Sequence, residues 1–412
     1  MPIFVEFAIS RKTIKPVLCL FFWVLYSSAQ EMPKLGEIVD SIQITNTPGE
    51  SFALYLPKSF DAKTASPVLF VFDSAARGRV GITPFVESSE KYGIILICSN
   101  NSKNGPYEKN FSVANNLFNH VLKNYTVDSG QMFLSGFSGG SRLAAAIASL
   151  SNQFRGVIAC GAGFSPMPSH TPSTQDFLYA AICGIEDMNY LEIVNNDQYL
   201  ERLHFKHTVI SFDGGHQWPP MEQIAHAFDW MFLNIKKGTG PLRKGASLKE
   251  PFSKDLDRAL NYKRIGKYLL ASEYYRRLLD SYPKTLVPDS LRNNYEALMA
   301  SKEYRMAHKQ RTTVLELEKR TKDKIFSRLK SDLNDLKNMN WKWWSKELSR
   351  LSELKAKGNT EEQYMVSRVR FALMAFLYEN KMMDSGLASD EVYNKMFQRF
   401  RKLVFPKTSS SP

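Results

Sequence analysis

Cysteine is scarce in this chain, with four residues in 412. None stands in a Cys-x-x-Cys pair and no two histidines are spaced as His-x-x-x-His, so the sequence holds no spacing typical of a metal site. We therefore expect no metal and no cofactor. Cys98, Cys160 and Cys183 each end an apolar run, and we expect them to be buried small side chains. Their odd number would also permit one disulfide and a free thiol.

The chain also lacks an apolar run that would cross a bilayer comfortably. The one candidate, Pro16 to Tyr26, follows Arg11, Lys12 and Lys15 and is followed by small residues up to Ala29. This order is typical of a secretory signal peptide, whereas a membrane anchor would need a longer run. We predict a signal peptide over residues 1–29, cleaved after Ala29, and therefore a secreted or periplasmic protein.

Positive charge is confined mainly to one part of the chain. The net charge is +13 overall, but residues 31–240 sum to −4 and residues 241–412 to +15. A stretch rich in glycine and proline lies between these parts. We predict a domain over 30–240, a linker over 241–250, a second domain over 251–405 and a disordered tail over 406–412.

The basic part has a simple interpretation as a solvated helical surface rich in lysine. Because we expect export, an association with the anionic envelope surface or with a protein partner of the helical domain is favoured over nucleic acid. We expect no nucleic-acid partner.

The first part alternates strands and helices. An opening antiparallel pair is predicted around the turn Asn46 to Gly49, and later strands are short and continuously apolar, as in a parallel sheet covered on both faces. This pattern predicts an α/β fold with a mainly parallel sheet. The predicted strands are 37–45, 50–56, 68–72, 93–98, 132–134, 157–160, 178–183 and 208–212, and the helices between or after them include 83–92, 112–123 and 221–235.

Three predicted strands are followed by residues that suit acyl transfer. Gly136-Phe-Ser-Gly-Gly140 is a sharp turn between a strand and an alanine-rich helix, and it presents Ser138. The later loops are Gly184-Ile-Glu-Asp187 and Asp213-Gly-Gly-His-Gln-Trp-Pro219. In a parallel sheet, ligands lie beyond the carboxyl ends of the strands, so these loops are expected to meet.

These motifs resemble the α/β-hydrolase superfamily, and within it the exported esterases related to dienelactone hydrolases and polyhydroxybutyrate depolymerases. The resemblance covers roughly residues 36 to 236. It implies a serine hydrolase, expected to cleave carboxylic esters through an acyl-enzyme on Ser138, with His216 as base and Asp187 as orienting acid. Glu186 is the alternative acid. A peptidase on the same fold and a non-catalytic binding protein are the alternative functions.

An acyl-transfer site also needs backbone N–H donors for the oxyanion. The resemblance implies the amide of Gly139 as one donor and an amide after the strand 68–72 as the other, either Ser74 or Ala75. Many family members have His-Gly in that loop, whereas this chain has Asp73. A carboxylate near developing negative charge would be unfavourable unless a neighbouring arginine pairs with it.

Substrate contacts are predicted for three residues, and the partner is expected to be an ester-containing small molecule or polymer. Trp218 stands two residues after His216 and would either stack on substrate or anchor its loop. Asn100, in a polar loop at a strand end, and Phe137, beside the nucleophile, are the other two. Only a short segment, Gly161 to Gln175, occupies the place where relatives insert a lid, so the site is expected to be open.

The second part contains no strand pattern and is predicted to be all-α. One stretch resembles a tetratricopeptide helix pair, and a weaker copy follows 36 residues later at Tyr304 and Ala307. Three tryptophans within 340–345 are expected to fill space between helices, and helices over about 361–379 and 389–404 to complete the bundle. The positions of the first pair are Ala259, Tyr262, Gly266, Tyr268, Ala271, Tyr275 and Pro283.

Overall fold

Eight strands form one sheet at the centre of the first part of the chain. The computed structural model describes residues 33–235, 248–383 and 390–405. The predicted signal peptide with its cleavage site, most of the predicted linker and the predicted tail lie outside these residues. In chain order the strands are β1 (Ile38–Gln43), β2 (Ser51–Tyr55), β3 (Ser66–Asp73), β4 (Ile95–Ser99), β5 (Val127–Phe137), β6 (Gly156–Cys160), β7 (Leu178–Gly184) and β8 (His207–Phe212).

The order of the strands across the sheet is β1-β2-β4-β3-β5-β6-β7-β8. The first two strands form the predicted antiparallel pair, and β2 also runs antiparallel to β4. The remaining neighbours, from β4 to β8, are parallel. The predicted fold class is therefore confirmed as α/β, with a mainly parallel sheet followed by helices.

The central strand β3 explains why apolar runs fold this way. All eight of its residues are buried, and alternate side chains point to opposite faces of the sheet. Phe70 and Phe72 join the core on one face, whereas Leu69 and Val71 join the core on the other. The cysteines of the neighbouring strands, Cys98, Cys160 and Cys183, are buried free thiols, as expected of small core side chains.

Helices cover both faces of the sheet. The predicted helix 83–92 is α-helical only over Val86–Tyr92, since its first three residues, Thr83–Phe85, form a 3₁₀ turn after a separate α-helix over Gly78–Ile82. Pro84 in that turn lacks the N–H that a continuous α-helix needs. The predicted helix 112–123 begins earlier, directly after Pro106. These helices are α1 (Gly78–Ile82), α2 (Val86–Tyr92), α3 (Tyr107–Asn124), α4 (Gly139–Leu150), α5 (Tyr190–Arg202) and α6 (Met221–Asn234).

The second part is helical throughout its described residues. One helix, α10, is 32 residues long. The predicted closing helices are present as α12 and α13. The helices are α7 (Lys249–Arg264), α8 (Tyr268–Ser281), α9 (Asp289–Ala300), α10 (Lys302–Leu333), α11 (Trp341–Lys357), α12 (Thr360–Met383) and α13 (Glu391–Val404).

The first helix pair of this part packs closely. Ala259 of α7 and Ala271 and Tyr275 of α8 are fully buried, so small side chains let the two helices approach. The weaker copy differs, because Tyr304 lies near the start of the long α10. The relation of this part to tetratricopeptide repeats stays a prediction.

The tryptophan cluster packs between helices, as expected. Trp344 of α11 is fully buried, and its ring lies 4.7 Å from that of Phe400 in α13 and 4.8 Å from that of Trp343. Its indole N–H donates to Asp332 at 2.7 Å. The cluster therefore ties α10, α11 and α13 into one core.

The sheet and the helical part belong to one compact unit that begins at Lys34. Helix α8 lies along the edge strand β8, where Glu273 accepts hydrogen bonds from the Ser211 amide at 3.1 Å and its hydroxyl at 3.0 Å. Arg277 donates to the Val209 carbonyl at 3.1 Å. These contacts satisfy strand groups that would otherwise be unpaired at a sheet edge.

Across the described residues, no helix combines the length and apolar character needed to cross a membrane.

Candidate active site

Ser138 lies at the tight turn between β5 and α4. Its backbone has φ 56° and ψ −119°, a conformation that side-chain-bearing residues rarely adopt and that costs about 1–3 kcal/mol. Gly140 must be glycine, because a Cβ there would lie 1.9 Å from the Phe72 carbonyl oxygen. A Cβ at Gly136 would lie 2.3 Å from the Gly140 carbonyl. The two glycines permit the turn that places the Ser138 hydroxyl just beyond the end of β5.

The structure brings Ser138, His216 and Asp187 into one hydrogen-bonded row. His216 Nε2 lies 3.0 Å from Ser138 Oγ, and His216 Nδ1 lies 2.9 Å from both carboxylate oxygens of Asp187. An ionised carboxylate only accepts hydrogen bonds, so Nδ1 carries the proton and Nε2 accepts from the serine. The residues come from the ends of β5, β8 and β7.

Asp187 is fixed by its own loop. Its side chain is fully buried and also accepts a hydrogen bond from the Asn189 amide at 2.8 Å. The rival acid, Glu186, instead lies 3.5 Å from Lys355, measured from its Oε2 to the lysine Nζ. Of the two candidate acids, only Asp187 touches His216.

The imidazole of His216 lies between two phenylalanine rings. Phe137 is 4.7 Å from it, and Phe371 of α12 is 5.6 Å from it, measured between ring centroids. Phe137 is 7% exposed and packs also on Trp218. Phe137 therefore packs against His216, and its contact with substrate stays a prediction.

Asp73 forms a closed set of hydrogen bonds. Arg77 donates to both of its carboxylate oxygens at 2.9 Å, the Trp218 indole N–H donates at 3.0 Å and the Ala75 amide at 2.9 Å. Burial alone would raise the pKa of Asp73, but these donors outweigh it and lower the pKa below its ordinary value. The carboxylate is thus neutralised by a neighbouring arginine, the condition that the sequence required.

These bonds separate the two candidates for the second oxyanion donor. The Ala75 amide is occupied by Asp73, so it is not available to substrate. The Ser74 amide has no acceptor among the residues that the structure describes. Gly139 is the first residue of α4, where the amides of a helix N-terminus attract negative charge. Gly139 and Ser74 are therefore the amides that remain for an oxyanion.

Asn100 and Trp218, two residues predicted to contact substrate, have hydrogen-bond partners within the protein, and their contact with substrate stays a prediction. Asn100 accepts from the Gly78 amide at 2.9 Å and donates to Asp40 and to Ser51, so its amide is fully used away from Ser138. Trp218 is held by its bond to Asp73 and by the ring of Phe85. Trp218 anchors the His216 loop, the second of its two predicted roles. Asn104, which belongs to the same polar loop as Asn100, lines the cleft beside Gly139.

The site is covered by the helical part, which overturns the prediction of an open site. Arg368 of α12 donates to the Ile185 carbonyl at 2.7 Å and pairs with Glu318 of α10 at 2.7 Å, with both side chains fully buried. Lys322 of α10 donates to the Met188 carbonyl at 2.8 Å. The short segment between β6 and β7 contains no lid, but helices distant in sequence take that place.

Two cavities adjoin the nucleophile. One, of about 960 Å³, reaches Gly139 and Asp73, and the other, of about 380 Å³, reaches Ser138 itself. Arg142, Glu192 and Glu379 line both cavities. The space beside the turn of Ser138 therefore has two compartments that share these residues, and Ser138 itself lines only the smaller one.

Arg142 and Glu192 form the polar wall between the compartments. Arg142 Nη2 donates to Glu192 at 2.6 Å, and the other oxygen of Glu192 accepts from the Gly163 amide at 2.8 Å. Burial alone would lower the pKa of the Arg142 guanidinium. The carboxylate of Glu192 outweighs this effect and raises the pKa above its ordinary value. Arg142 follows Ser138 by one helical turn, so this spacing alone could have predicted that its side chain lies near Ser138. Nothing in the sequence predicted that Glu192 would be there.

Two further site residues, Phe371 and Glu379, come from α12. Glu379 accepts from Asn104 Nδ2 at 3.0 Å, and Asn104 Oδ1 lies 1.8 Å from where a Cβ on Gly139 would be. Both helical residues are more than 150 positions after His216, and no local pattern marks them.

In the described ranges no group of three or more His, Cys, Asp or Glu residues is arranged to hold a metal ion.

No protein-family model matches this chain, and no curated protein matches it either. Solved structures with a similar course of the chain include S-formylglutathione hydrolase from Staphylococcus aureus, at 15% identity and a TM-score of 0.40, covering 48% of this chain and 98% of the other. The fluorophosphonate-binding serine hydrolase F of Staphylococcus aureus has 15% identity, a TM-score of 0.41 and coverages of 48% and 99%.

A feruloyl esterase module from Clostridium thermocellum is similar over 48% of this chain and 89% of its own, at 13% identity and a TM-score of 0.39. At identities this low we conclude nothing about activity from these structures.

Proposed function

We propose that this protein is a serine hydrolase that cleaves carboxylic esters through an acyl-enzyme on Ser138. The observation that carries the proposal is the unbroken row from Asp187 through His216 to Ser138, with each contact at 2.9 to 3.0 Å. A serine hydroxyl is a weak nucleophile until a neighbouring base removes its proton, and this row supplies that base.

In the first half of the reaction, Ser138 Oγ adds to the ester carbonyl carbon while its proton passes to His216 Nε2. Asp187 accepts from Nδ1–H and stabilises the imidazolium that forms. The carbon–oxygen bond to the alcohol then breaks, and the alcohol leaves with the proton from His216. Water attacks the acyl-enzyme by the same route in reverse, which releases the acid and restores Ser138.

The negative charge on the tetrahedral intermediate would be met by the amides of Gly139 and Ser74. Asp73 does not oppose this charge, because Arg77 neutralises it and Trp218 and Ala75 hold it in place. The unusual loop is consistent with catalysis on these grounds, which favours an enzyme over a non-catalytic binding protein.

The proposal is tested by labelling with a small fluorophosphonate, which forms a covalent bond only with an activated serine. We expect stoichiometric labelling of the wild type, no labelling of Ser138→Ala, and wild-type labelling of Ser112→Ala, since Ser112 is exposed on α3. Equal labelling of Ser138→Ala, or none of the wild type, would refute a catalytic Ser138. Turnover of acyl esters against peptides then separates an esterase from a peptidase.

Export and envelope association belong to the same proposal. They are supported by the basic and apolar order of residues 1–29 and by the charge of +15 over residues 241–412. Mass determination of the mature N-terminus after secretion tests the cut after Ala29. Salt-dependent release of the protein from anionic vesicles tests the surface association, and co-purification from envelope extracts tests a protein partner of the helical part.

A further inference from the structure

The side chain of Asp73 contacts two loops of the candidate site at once. Asp73 is the last residue of β3 and is fully buried. Its Oδ1 accepts a hydrogen bond from the Ala75 amide at 2.9 Å, within the oxyanion loop of residues 73–78. Its Oδ2 accepts from the Trp218 indole N–H at 3.0 Å, in the histidine loop of residues 213–219. One carboxylate therefore joins the loop of an expected oxyanion donor to the loop of the proposed base.

In the oxyanion loop, two hydrogen bonds fix the direction of the Ser74 amide. The bond from Ala75 to the Asp73 carboxylate closes a turn around Ser74. A second turn is closed by the Ala76 amide, which donates to the Asp73 carbonyl at 3.0 Å. That carbonyl and the Ser74 N–H belong to one planar peptide group, so holding the carbonyl also holds the N–H. The carboxylate of Asp73 therefore orients the Ser74 amide through the turn rather than by bonding to it.

In the histidine loop, Trp218 lies two residues after His216. Two glycines come directly before His216, and glycines leave a loop with little stiffness of its own. The Trp218 ring packs against Phe137 at 5.3 Å, measured between centroids, and its indole N–H can only donate. Asp73 supplies the acceptor for that N–H. The bond thus holds the loop on the carboxyl side of His216.

Bonding to both loops at once requires a carboxylate. An ionised carboxylate accepts hydrogen bonds at both oxygens, whereas an asparagine amide has one acceptor oxygen and presents N–H on its other side. Asparagine at position 73 would therefore serve one loop and lose the other. Arg77 donates to both oxygens of Asp73 at 2.9 Å and compensates the buried charge. Asp73 and Arg77 together thus keep an acceptor for each loop.

From this arrangement, and resting on the proposed hydrolase function, we propose that Asp73 is a positioning residue for the reaction. It keeps the Ser74 amide and His216 in one fixed relation, through the bonds that its two oxygens accept. An oxyanion donor acts mainly in the transition state, so a small displacement of the two loops lowers kcat more than it changes KM. Asp73 thus contributes to the rate without taking part in proton transfer.

The test is steady-state hydrolysis of p-nitrophenyl acetate by Asp73→Asn, a variant of nearly the same shape. We expect kcat to fall about tenfold to a hundredfold, with KM changed by less than about twofold. The matched control is Asp61→Asn, for which we expect the wild-type kcat. Asp61 also accepts from the amide two residues later, at 3.0 Å, but it is exposed and lies before the start of β3, whereas Asp73 ends that strand.

A second measurement asks whether Asp73 and Trp218 act through one bond. Trp218→Phe removes the bond to the histidine loop alone, and we expect kcat to fall about threefold to tenfold. Asp73→Ala removes the bonds to both loops, so adding Trp218→Phe to it should lower kcat much less than Trp218→Phe lowers it in the wild type. Each kcat is referred to the amount of serine labelled by a small fluorophosphonate, so that unfolded molecules are not counted.

The wild-type kcat in Asp73→Asn, or a rise in KM with kcat unchanged, would overturn the positioning role and leave the hydrolase function intact. Independent effects of Asp73→Ala and Trp218→Phe would also overturn it. If the Asp73 variants do not fold, Trp218→Phe decides by itself, since the wild-type kcat there would mean that the bond does not position the loop. If the wild-type protein neither hydrolyses acetate nor reacts with the fluorophosphonate, the hydrolase function fails and the positioning role fails with it.

Discussion

The sheet domain and the helical part contribute to the candidate site in different ways. Ser138, Asp187 and His216 come from loops at the ends of β5, β7 and β8, so the sheet itself brings them together. Phe371 and Glu379 come from one helix, and they reach the site only because that helix docks on the sheet domain. The reactive groups thus lie at the ends of strands of the sheet, whereas access to Ser138 depends on how α12 docks on the sheet domain.

The two parts also differ in their buried charges. Asp187 is buried beside a histidine that takes part in the proposed chemistry, whereas Arg368 and Glu318 are buried as an ion pair that fastens α12. A buried charge that loses its partner is costly, so both arrangements are sensitive to substitution. Loss of the contact between Asp187 and His216 should lower the rate of catalysis. Loss of the pair of Arg368 and Glu318 should lower the stability of the protein and change the access of substrate to Ser138.

The largest effect is expected from Asp187→Asn. The amide can present N–H to His216 Nδ1, which favours the wrong tautomer for a base, so kcat should fall roughly ten-thousand-fold with little change in stability. Steady-state hydrolysis of p-nitrophenyl acetate measures this. The matched control is Glu186→Gln, because its half-exposed contact with Lys355 at 3.5 Å is weak. If Glu186→Gln were as damaging as Asp187→Asn, the assignment of the acid would be wrong.

The second prediction concerns the docking of α12. Arg368→Met removes one of the two cations that contact the buried Glu318, since Lys322 remains 2.7 Å away, and it also removes the bond to the Ile185 carbonyl. Unfolding in urea should therefore cost about 2–4 kcal/mol less free energy, because each hydrogen bond to a charged group is worth roughly 1.5–3 kcal/mol. Its control is Lys395→Met, which removes an exposed ion pair with Glu391 and should change stability by less than about 1 kcal/mol.

If Arg368→Met had the same free energy of unfolding as the wild type, the buried pair would not hold α12 in place, and the proposed difference between the two parts would be wrong. It would be sharpened if the variant kept the reactivity of Ser138 toward a small fluorophosphonate while its KM for acyl esters changed. That result would separate the chemistry of the strand ends from the access that α12 controls.

The smallest effect is a dependence of stability on pH at the contact between α6 and α8. His226 is buried there, and its Nδ1 accepts from the Tyr274 hydroxyl at 3.2 Å. Burial, followed by Arg258 and Arg277, lowers its pKa to about 2. The unfolded chain binds a proton below its ordinary pKa of 6.5 while the folded chain does not, so stability falls as the pH falls.

Between pH 6.5 and about pH 5 this histidine should account for a loss of about 2 kcal/mol. Urea unfolding at both pH values measures it. His226→Phe is expected to remove this part of the pH dependence, whereas His204→Asn, at an exposed position, should leave it in place. An unchanged slope in His226→Phe would show that His226 does not carry the effect.

Most of the sheet domain follows from local patterns. The apolar strands appear at the predicted positions because each is buried on both faces, and Ser138 appears at a turn because Gly136 and Gly140 permit the close approach. The meeting of Ser138, Asp187 and His216 follows from their order at successive strand ends. Local patterns do not predict the roles of Phe137, Asn100 and Trp218. These roles depend on which distant residues contact each side chain.

The sequence by itself therefore determined the α/β class and the strand ends, since these depend on periodicity and on glycine positions. It also indicated Ser138 and His216, but it left both Asp187 and Glu186 as candidates for the acid. Tertiary structure alone decided that Asp73 is neutralised by Arg77, that Asp73 occupies the Ala75 amide while the Ser74 amide has no acceptor among the described residues, and that α12 covers the site. Contacts between residues far apart in the chain leave no periodic pattern. They are set by docking, which the sequence does not display.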